Sequence, residues 1–330
     1  MMTEKKTTDL GEKKNLTHNQ YLFGPVPSRR FGRSLGVDLV PYKTCSFDCI
    51  FCQLGPTTHK TVTRREYVPV DRVIAELDTW IRSGAEADYI TLSGSGEPTL
   101  HAGFGKIIDY VHSHTAIPAV LLTNGALLND PDVRVQAAKA DVVKVSLSAW
   151  DPFSLEHMNR PHHDITFENI IEGQRRLRDN LHGQLWMEVF LVWGTNTTDQ
   201  DVSAIASWAQ TIHPDKIQLN TSVRPPCEEY AWAVPQDHMH RLAALFTPTA
   251  EVIAEYNKDL MESIQTDENA IHQMLRRRPC TLDDICKSFG LHRNQALKYL
   301  GKLMRNDQIY RIRQKDGDYF AARGDTPSSE

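Results

Sequence analysis

Between Tyr21 and about residue 246 the apolar residues fall into two alternating rhythms. One steps by two or runs unbroken, as in Leu35, Val37 and Leu39 and in the stretches ADYITLSG, AVLLTNG, DVVKVSLSA, LWMEVFLV and KIQLNTSV, and predicts strands. The other steps by three and four. In VPVDRVIAELDTWIRSG the residues Val73, Ile74, Leu77, Trp80 and Ile81 share one face and Gly84 closes the helix. Further helices are predicted over 103–114 and 130–139, in FENIIEGQRRLRDNL and DVSAIASWAQTI, and over 236–246. Strands alternating with amphipathic helices imply parallel pairing through right-handed crossovers. Six such units are too few to close an eight-stranded barrel. The expected fold class is therefore α/β, an open six-unit (β/α)6 partial TIM-type barrel over residues 21–246, with ligands at the C-terminal strand ends.

The flanks read differently. Residues 1–20 are polar and aperiodic, a flexible lead-in, and 325–330 a flexible tail. Val252, Ile253, Tyr256 and Leu260 predict a connecting helix over 247–265. Over 266–324, Leu282, Ile285 and Phe289 mark one short helix, Gly290 a turn, and Leu297, Leu300 and Leu303 a second helix. The alternating stretches IYRIR and YFAA then flank a turn at 315–318. This unit resembles a winged helix-turn-helix domain. His292, Arg293, Asn294, Gln295 and Lys298 face outward from the N-terminal half of its second helix, where such motifs meet nucleic acid; protein docking is the other use of the fold. The unit is expected to be separable from the chemistry of the barrel.

Charge sharpens that expectation. Residues 266–323 hold 12 Lys and Arg against 7 Asp and Glu, a net +5, so the rest of the chain carries −10 of the total −5. A basic terminal unit on an acidic body points to a polyanionic partner, with an ordinary solvated surface as the alternative. No run of 18 apolar residues appears, so neither a membrane span nor a membrane partner is expected, and the first 20 residues lack the apolar core of a signal peptide. Of six cysteines three are clustered and three scattered, which suits a reducing cytoplasm rather than a disulfide framework.

The cluster carries the candidate chemistry. Cys45, Cys49 and Cys52 stand in a Cys-x3-Cys-x2-Cys spacing within PYKTCSFDCIFCQLG. One tight loop of this kind can hold three irons of a 4Fe-4S cubane and leave the fourth without a protein ligand. A zinc site is the alternative, but it asks for a fourth ligand at short spacing, and the nearest candidate is His59. The strand ends facing this loop are polar: Ser93 to Pro98 after the second strand, Thr123 and Asn124 after the third, Ser146 and Ser148 after the fourth, Glu188 and Asn220 on the fifth and sixth. Glycine admits close backbone approach, and Glu97 on such a turn can accept hydrogen bonds from an ammonium group. His162 and His163 form a loop pair, an acid and base or a plain surface feature. Arg224 can clamp an anion, and Cys227 is either a reactive thiol or a packing residue.

With Phe51 before the last cysteine, the spacing resembles the signature of the radical S-adenosylmethionine (SAM) superfamily. The stretches PVPSRR, SLGVDLVPYKTCSFDCIFCQLG, LSGSGEPTL, LLTNG and NRP are similar to a subgroup grouped with wyosine-type tRNA base synthases. The resemblance implies a 4Fe-4S cluster on Cys45, Cys49 and Cys52 that cleaves SAM to a 5'-deoxyadenosyl radical. It also implies a reductant such as flavodoxin or ferredoxin, and RNA modification. It places the methionyl amine on Ser95, Gly96 and Glu97, where Ser95 departs from the Gly-Gly-Glu pattern; the strand-end position of Thr123, Asn124, Ser146 and Glu188 makes them further candidate cofactor contacts, or polar groups that merely finish a strand. A second set of cluster cysteines carried by that subgroup has no counterpart in Cys227, Cys280 and Cys286. A peptide or a small metabolite therefore stays open as substrate. From another class, a redox-sensing DNA-binding regulator stays open as function.

Overall fold

The structure, a computed structural model, describes residues 20–28, 31–223, 225–253, 268–289, 291–314 and 317–323. Residues 1–19 of the expected lead-in, Arg29 and Arg30, Arg224, the stretch 254–267, Gly290, residues 315 and 316 of the expected turn and the end of the chain from 324 lie outside the described residues.

Strands β1 (Leu22–Ser28) and β2 (Gly32–Val37) lead into a short bridge pair, β3 (Thr44–Cys45) and β4 (His59–Lys60). There follow α1 (Val70–Arg82), β5 (Tyr89–Leu92), α2 (Phe104–His114), β6 (Ala119–Thr123), α3 (Pro131–Ala137) and β7 (Val142–Ser146). The barrel ends with α4 (Pro152–Asn159), α5 (Phe167–Asn180), β8 (Gln184–Leu191), α6 (Asp199–Ile212), β9 (Lys216–Thr221), α7 (Gln236–Ala243) and β10 (Glu251–Val252). Eight strands make one sheet in the order β1-β2-β5-β6-β7-β8-β9-β10. All neighbours in it are parallel except β1 and β2. The six predicted units are its centre.

Alternate residues of each strand point to opposite faces. Leu92, Leu121, Val145, Val189 and Leu219 pack under the helices in one continuous core. Their strand neighbours Thr91, Leu122, Lys144, Glu188 and Asn220 face the concave side. That side is filled at the N-terminal strand ends by Phe31, Val120, Val142 and Trp186, with Phe31 stacked on Trp186 at 5.1 Å. The helices show why they form. Helix α1 buries Val70, Val73, Leu77 and Trp80, and Glu66 accepts the hydrogen bond of its first amide at 2.8 Å. Helix α6 opens on a reciprocal cap between Thr198 and Asp201. Leu77 is fully buried, and Leu77→Ala there removes about 2–5 kcal/mol of stability.

Three differences from expectation concern the edges. The chain before β2 pairs antiparallel with it as β1, Leu22 opposite Val37 and Ser28 opposite Gly32. The connecting helix expected over 247–265 begins instead as β10, Glu251 opposite Gln218 and Val252 opposite Leu219, because the edge of β9 needs a partner and β-branched Val252 suits a strand. A helix absent from the predicted elements, α4, precedes the loop that holds His162 and His163; Asp151 and Ser154 cap it reciprocally, and Arg160 ends it in the left-handed conformation.

The C-terminal unit comprises α8 (Glu268–Arg277), β11 (Cys280–Thr281), α9 (Leu282–Phe289), α10 (Arg293–Arg305), β12 (Ile309–Gln314) and β13 (Gly317–Ala322). Its strands pair antiparallel in the order β11-β13-β12. It has its own core of Ile271, Met274, Leu275, Ile285, Phe289, Ala296, Leu300, Leu303, Ile309 and Phe320. One expectation is corrected here. Leu297 is exposed and Ala296 takes its place inside, the buried stripe running 296, 300, 303. His292 caps the helix, its Nδ1 accepting from the Asn294 amide at 3.3 Å. Among the described residues no helix is long and apolar enough to cross a membrane.

Candidate active site

The loop from Pro41 to Gly55 leaves β2 and lies across the C-terminal strand ends, pinned by backbone hydrogen bonds on three sides. Lys43 and Cys45 carbonyls accept from the amides of His59 and Thr61 at 3.1 and 3.0 Å. Asp48 and Ile50 amides donate to the carbonyls of Asn159 and Met158 at the end of α4, at 2.9 and 3.0 Å. The Ser46 carbonyl accepts from the His162 amide at 2.8 Å. Phe51 stacks on Phe190 of β8 at 4.2 Å.

Each cysteine in this loop meets its own donor. Lys43 Nζ lies 3.1 Å from Cys52 Sγ, Asn159 Nδ2 lies 3.3 Å from Cys49 Sγ, and Asn124 Nδ2 lies 3.7 Å from Cys45 Sγ. All three thiols are free and half-buried. Burial pushes the Cys45 thiol up from 9.0 to about 12, with the nearby Glu97 charge adding to it. Burial likewise pushes Cys49 upward, helped by Cys52 and Cys45. Burial alone pulls Lys43 down, yet the surrounding thiols of Cys52, Cys45 and Cys49 leave it raised. A pocket that raises thiols and brings a donor to each sulfur fits a positively charged metal group that takes thiolates. His59, the fourth ligand that zinc would need, is exposed on β4.

The turn after β5 presses against this loop. The Ser95 carbonyl accepts from the Lys43 amide at 2.8 Å, and the Glu97 amide donates to the Thr44 carbonyl at 3.1 Å. Between them a Cβ on Gly96 would fall 1.7 Å from the Thr44 oxygen, so only glycine fits. Glu97 is buried, and its carboxylate accepts from the Thr99 amide and hydroxyl at 3.0 and 2.6 Å, the Thr123 hydroxyl at 2.7 Å and the Asn124 amide at 2.8 Å. Burial pushes this carboxyl up against the pull of those bonds. The Asn124 side chain meanwhile donates to Ser46 Oγ at 2.9 Å. Glu97, Thr123, Asn124 and the cysteine loop thus form one connected set.

Ser146 and Glu188 form another. They sit opposite each other in the β7–β8 register, and Glu188 is ion-paired with the buried Lys144 on the concave side. The His162 and His163 rings lie 4.1 Å apart, tilted by 31°, beside Asp164, and His163 is exposed. The Glu228 amide donates to the Ile50 carbonyl at 2.9 Å, which puts Cys227 beside the loop, and burial, with Asp48, Glu228 and Cys52, pushes its thiol up. Sequence reasoning missed Lys43 and Asn159 as sulfur donors. The stretches YKTC and NRP contained them, but a donor role appears only once α4 and the loop are brought together.

Comparison with known proteins agrees with this geometry. Residues 39–209 match the family described as the radical SAM superfamily. The chain is 32% identical over 305 residues to a UPF0026 protein of Methanocaldococcus jannaschii, 85% of this chain and 94% of that one. It is 32% identical over 294 residues to a protein of Brachyspira hyodysenteriae named GTPase Obg, 87% of this chain but 43% of that protein's length. Among solved structures, a radical SAM methyltransferase from Sphaerobacter thermophilus superimposes with a TM-score of 0.51 over 69% of this chain and 67% of that one, at 16% identity, a likeness of fold. Three cysteines on a loop over the mouth of a mostly parallel partial barrel and a family match spanning that loop lead to one conclusion: the chain belongs to the radical SAM superfamily, enzymes that use a 4Fe-4S cluster and SAM.

Proposed function

We propose that Cys45, Cys49 and Cys52 hold the 4Fe-4S cluster and that Ser95, Gly96 and Glu97, with Thr123 and Asn124, receive the methionyl end of SAM. When bound, the cluster and SAM together supply a 5'-deoxyadenosyl radical by one-electron reduction of the sulfonium. The chain's own part is to hold and orient. Lys43, Asn124 and Asn159 donate to the three sulfurs, which favours the more negative, reduced state. Glu97 Oε1 is fixed by three donors, while Oε2 takes only the Asn124 amide and keeps capacity to accept from an ammonium group without having to reorganise. Ser146 and the Lys144–Glu188 pair form the facing wall. A one-electron donor of the flavodoxin or ferredoxin type completes the system.

The observation that carries this reading is the shared network in which Asn124 bonds both the Glu97 carboxylate and Cys45. A cluster that only reports oxidation has no use for the carboxylate, so the network favours an enzyme over a redox-sensing regulator. The test is anaerobic reconstitution followed by dithionite and SAM. Release of 5'-deoxyadenosine is expected, and its absence from iron-replete protein overturns the reading.

For the substrate we infer RNA, on the likeness to wyosine-type synthases and the net positive charge of residues 266–323. The C-terminal unit is taken as a winged helix, with α10 in the recognition position and β12 and β13 as the wing. A second reading, docking of a peptide or protein, is favoured by α10 itself. Leu297 and Met304 are exposed on it, while Arg293 and Lys302 are ion-paired to Asp283 and Glu268. Nucleoside analysis of RNA from cells lacking the gene, against complemented cells, separates the two: loss of one modified base is expected, and an unchanged profile favours the peptide.

A further inference from the structure

Helix α8 is absent from the elements predicted above, and it carries the C-terminal unit to the barrel. Its last residue, Arg277, places Nη2 3.0 Å from Asp38 Oδ2, and its guanidinium covers the Phe23 ring at 4.7 Å. The pair is withdrawn from water, with side chains 16% and 7% exposed. Asp38 follows β2, and its remaining hydrogen-bonding capacity goes to a single residue. Oδ1 accepts from the Ser95 amide at 3.0 Å and Oδ2 from the Ser95 hydroxyl at 2.6 Å, with Arg277 Nη1 3.4 Å from that hydroxyl. Gly94, at φ 143°, lies so close that a Cβ would fall 2.5 Å from Asp38 Cγ. From its other side Ser95 is held by the Lys43 amide. Arg277 also forms part of the wall of two cavities, of about 310 and 540 Å³, that lie between the barrel and the C-terminal unit.

We infer that Arg277 is a positioning residue for SAM: through Asp38 it clamps Ser95, and with it the turn that ends in Glu97, so that the C-terminal unit completes the SAM site. This rests on the reading of Ser95–Glu97 given above. It also accounts for the serine at 95, whose hydroxyl has a built partner here. The physical step is the isolation of a buried carboxylate. Without Arg277, the Asp38 carboxylate stays buried with no counter-charge, which costs free energy, and the Asp38–Ser95 contact loses the guanidinium that anchors it from the C-terminal unit. The terminal unit is therefore not the separable appendage that its own core would imply.

The test uses full-length chains: Arg277→Gln, Arg277→Lys, Asp38→Asn and, as control, Arg176→Gln, whose ion pair with Glu172 lies on the surface of α5. Amide hydrogen exchange of cluster-free protein reads the clamp, and the shift that SAM causes in the electron paramagnetic resonance spectrum of the reduced, iron-replete protein reads SAM affinity. Arg277→Gln and Asp38→Asn are expected to speed exchange in peptides covering 93–97 and to weaken SAM binding about 10- to 100-fold at equal iron content. Arg277→Lys should recover part of the loss, and Arg176→Gln should match the parent. Unchanged exchange at 93–97 overturns the clamp, and so does faster exchange spread over the whole chain. Faster exchange with unchanged SAM affinity overturns the positioning role. A parent chain that binds no SAM counts against the proposed function, while the exchange measurement still judges the clamp by itself.

Discussion

The two sides of the barrel mouth differ in how much hydrogen-bonding capacity the fold itself uses. On the side of β5 and β6 the Glu97 carboxylate takes four donors, and Asn124 spends its amide group on Cys45 and Ser46. On the side of β8 and β9, Gln218 Oε1, Asn220 Oδ1 and Ser222 Oγ are buried without a hydrogen-bond partner among the described residues. An open buried acceptor costs about 1–3 kcal/mol, so it persists where water or a ligand completes it. One side is a finished cradle suited to a constant ligand. The other keeps donors and acceptors in reserve for something that comes and goes.

Four measurements break or sharpen this contrast. Cys49→Ala, at the finished side, is expected to abolish cluster binding; iron analysis and the visible spectrum check it, and full iron content would move the cluster elsewhere. Glu97→Gln is expected to keep the iron but weaken SAM binding about 10- to 100-fold, because an amide cannot match an ammonium charge; unchanged affinity removes the cradle from the SAM site. The third concerns pH. Cys45 in the cluster-free fold stays protonated up to about 12, against an ordinary 9.0, so the unfolded chain loses this proton first. Stability from this thiol is full below 9.0 and is lost as pH rises towards about 12. Urea unfolding of cluster-free Cys45→Ala should accordingly fall less steeply over that range than the parent does; equal slopes mean the thiol is not buried. The smallest effect is expected at the open side. Asn220→Leu should stabilise the cluster-free protein by about 1 kcal/mol by removing an acceptor without a partner, whereas clear destabilisation in urea would show that water already fills it.

The barrel was legible because its signal is local. Leu92, Leu121, Val145, Val189 and Leu219 repeat the same strand pattern, and each strand is followed by a helix with an apolar stripe. The cysteine spacing and the run from Ser95 to Glu97 were legible for the same reason, being short and contiguous. What escaped depends on approach between distant segments. Strand β10 exists because β9 has an edge to cover, a need that Val252 alone cannot signal against the helical spacing beyond it. Helix α8 left a faint trace in Ile271, Met274 and Leu275, spaced by three and one, too short to stand out beside the expected connecting helix. Lys43 and Asn159 are ordinary polar residues until the loop folds onto α4. Asp38, Ser95 and Arg277 lie far apart along the chain, and no periodicity links them.

Gly96 has a consequence for how such enzymes diversify and are engineered. With the Thr44 oxygen seated where a methyl group would go, the cysteine segment and the acidic turn are moulded to each other's backbone. A chimera that transplants one without the other inherits a mismatch at atomic scale, so recombination among relatives should yield working hybrids only when both pieces travel together.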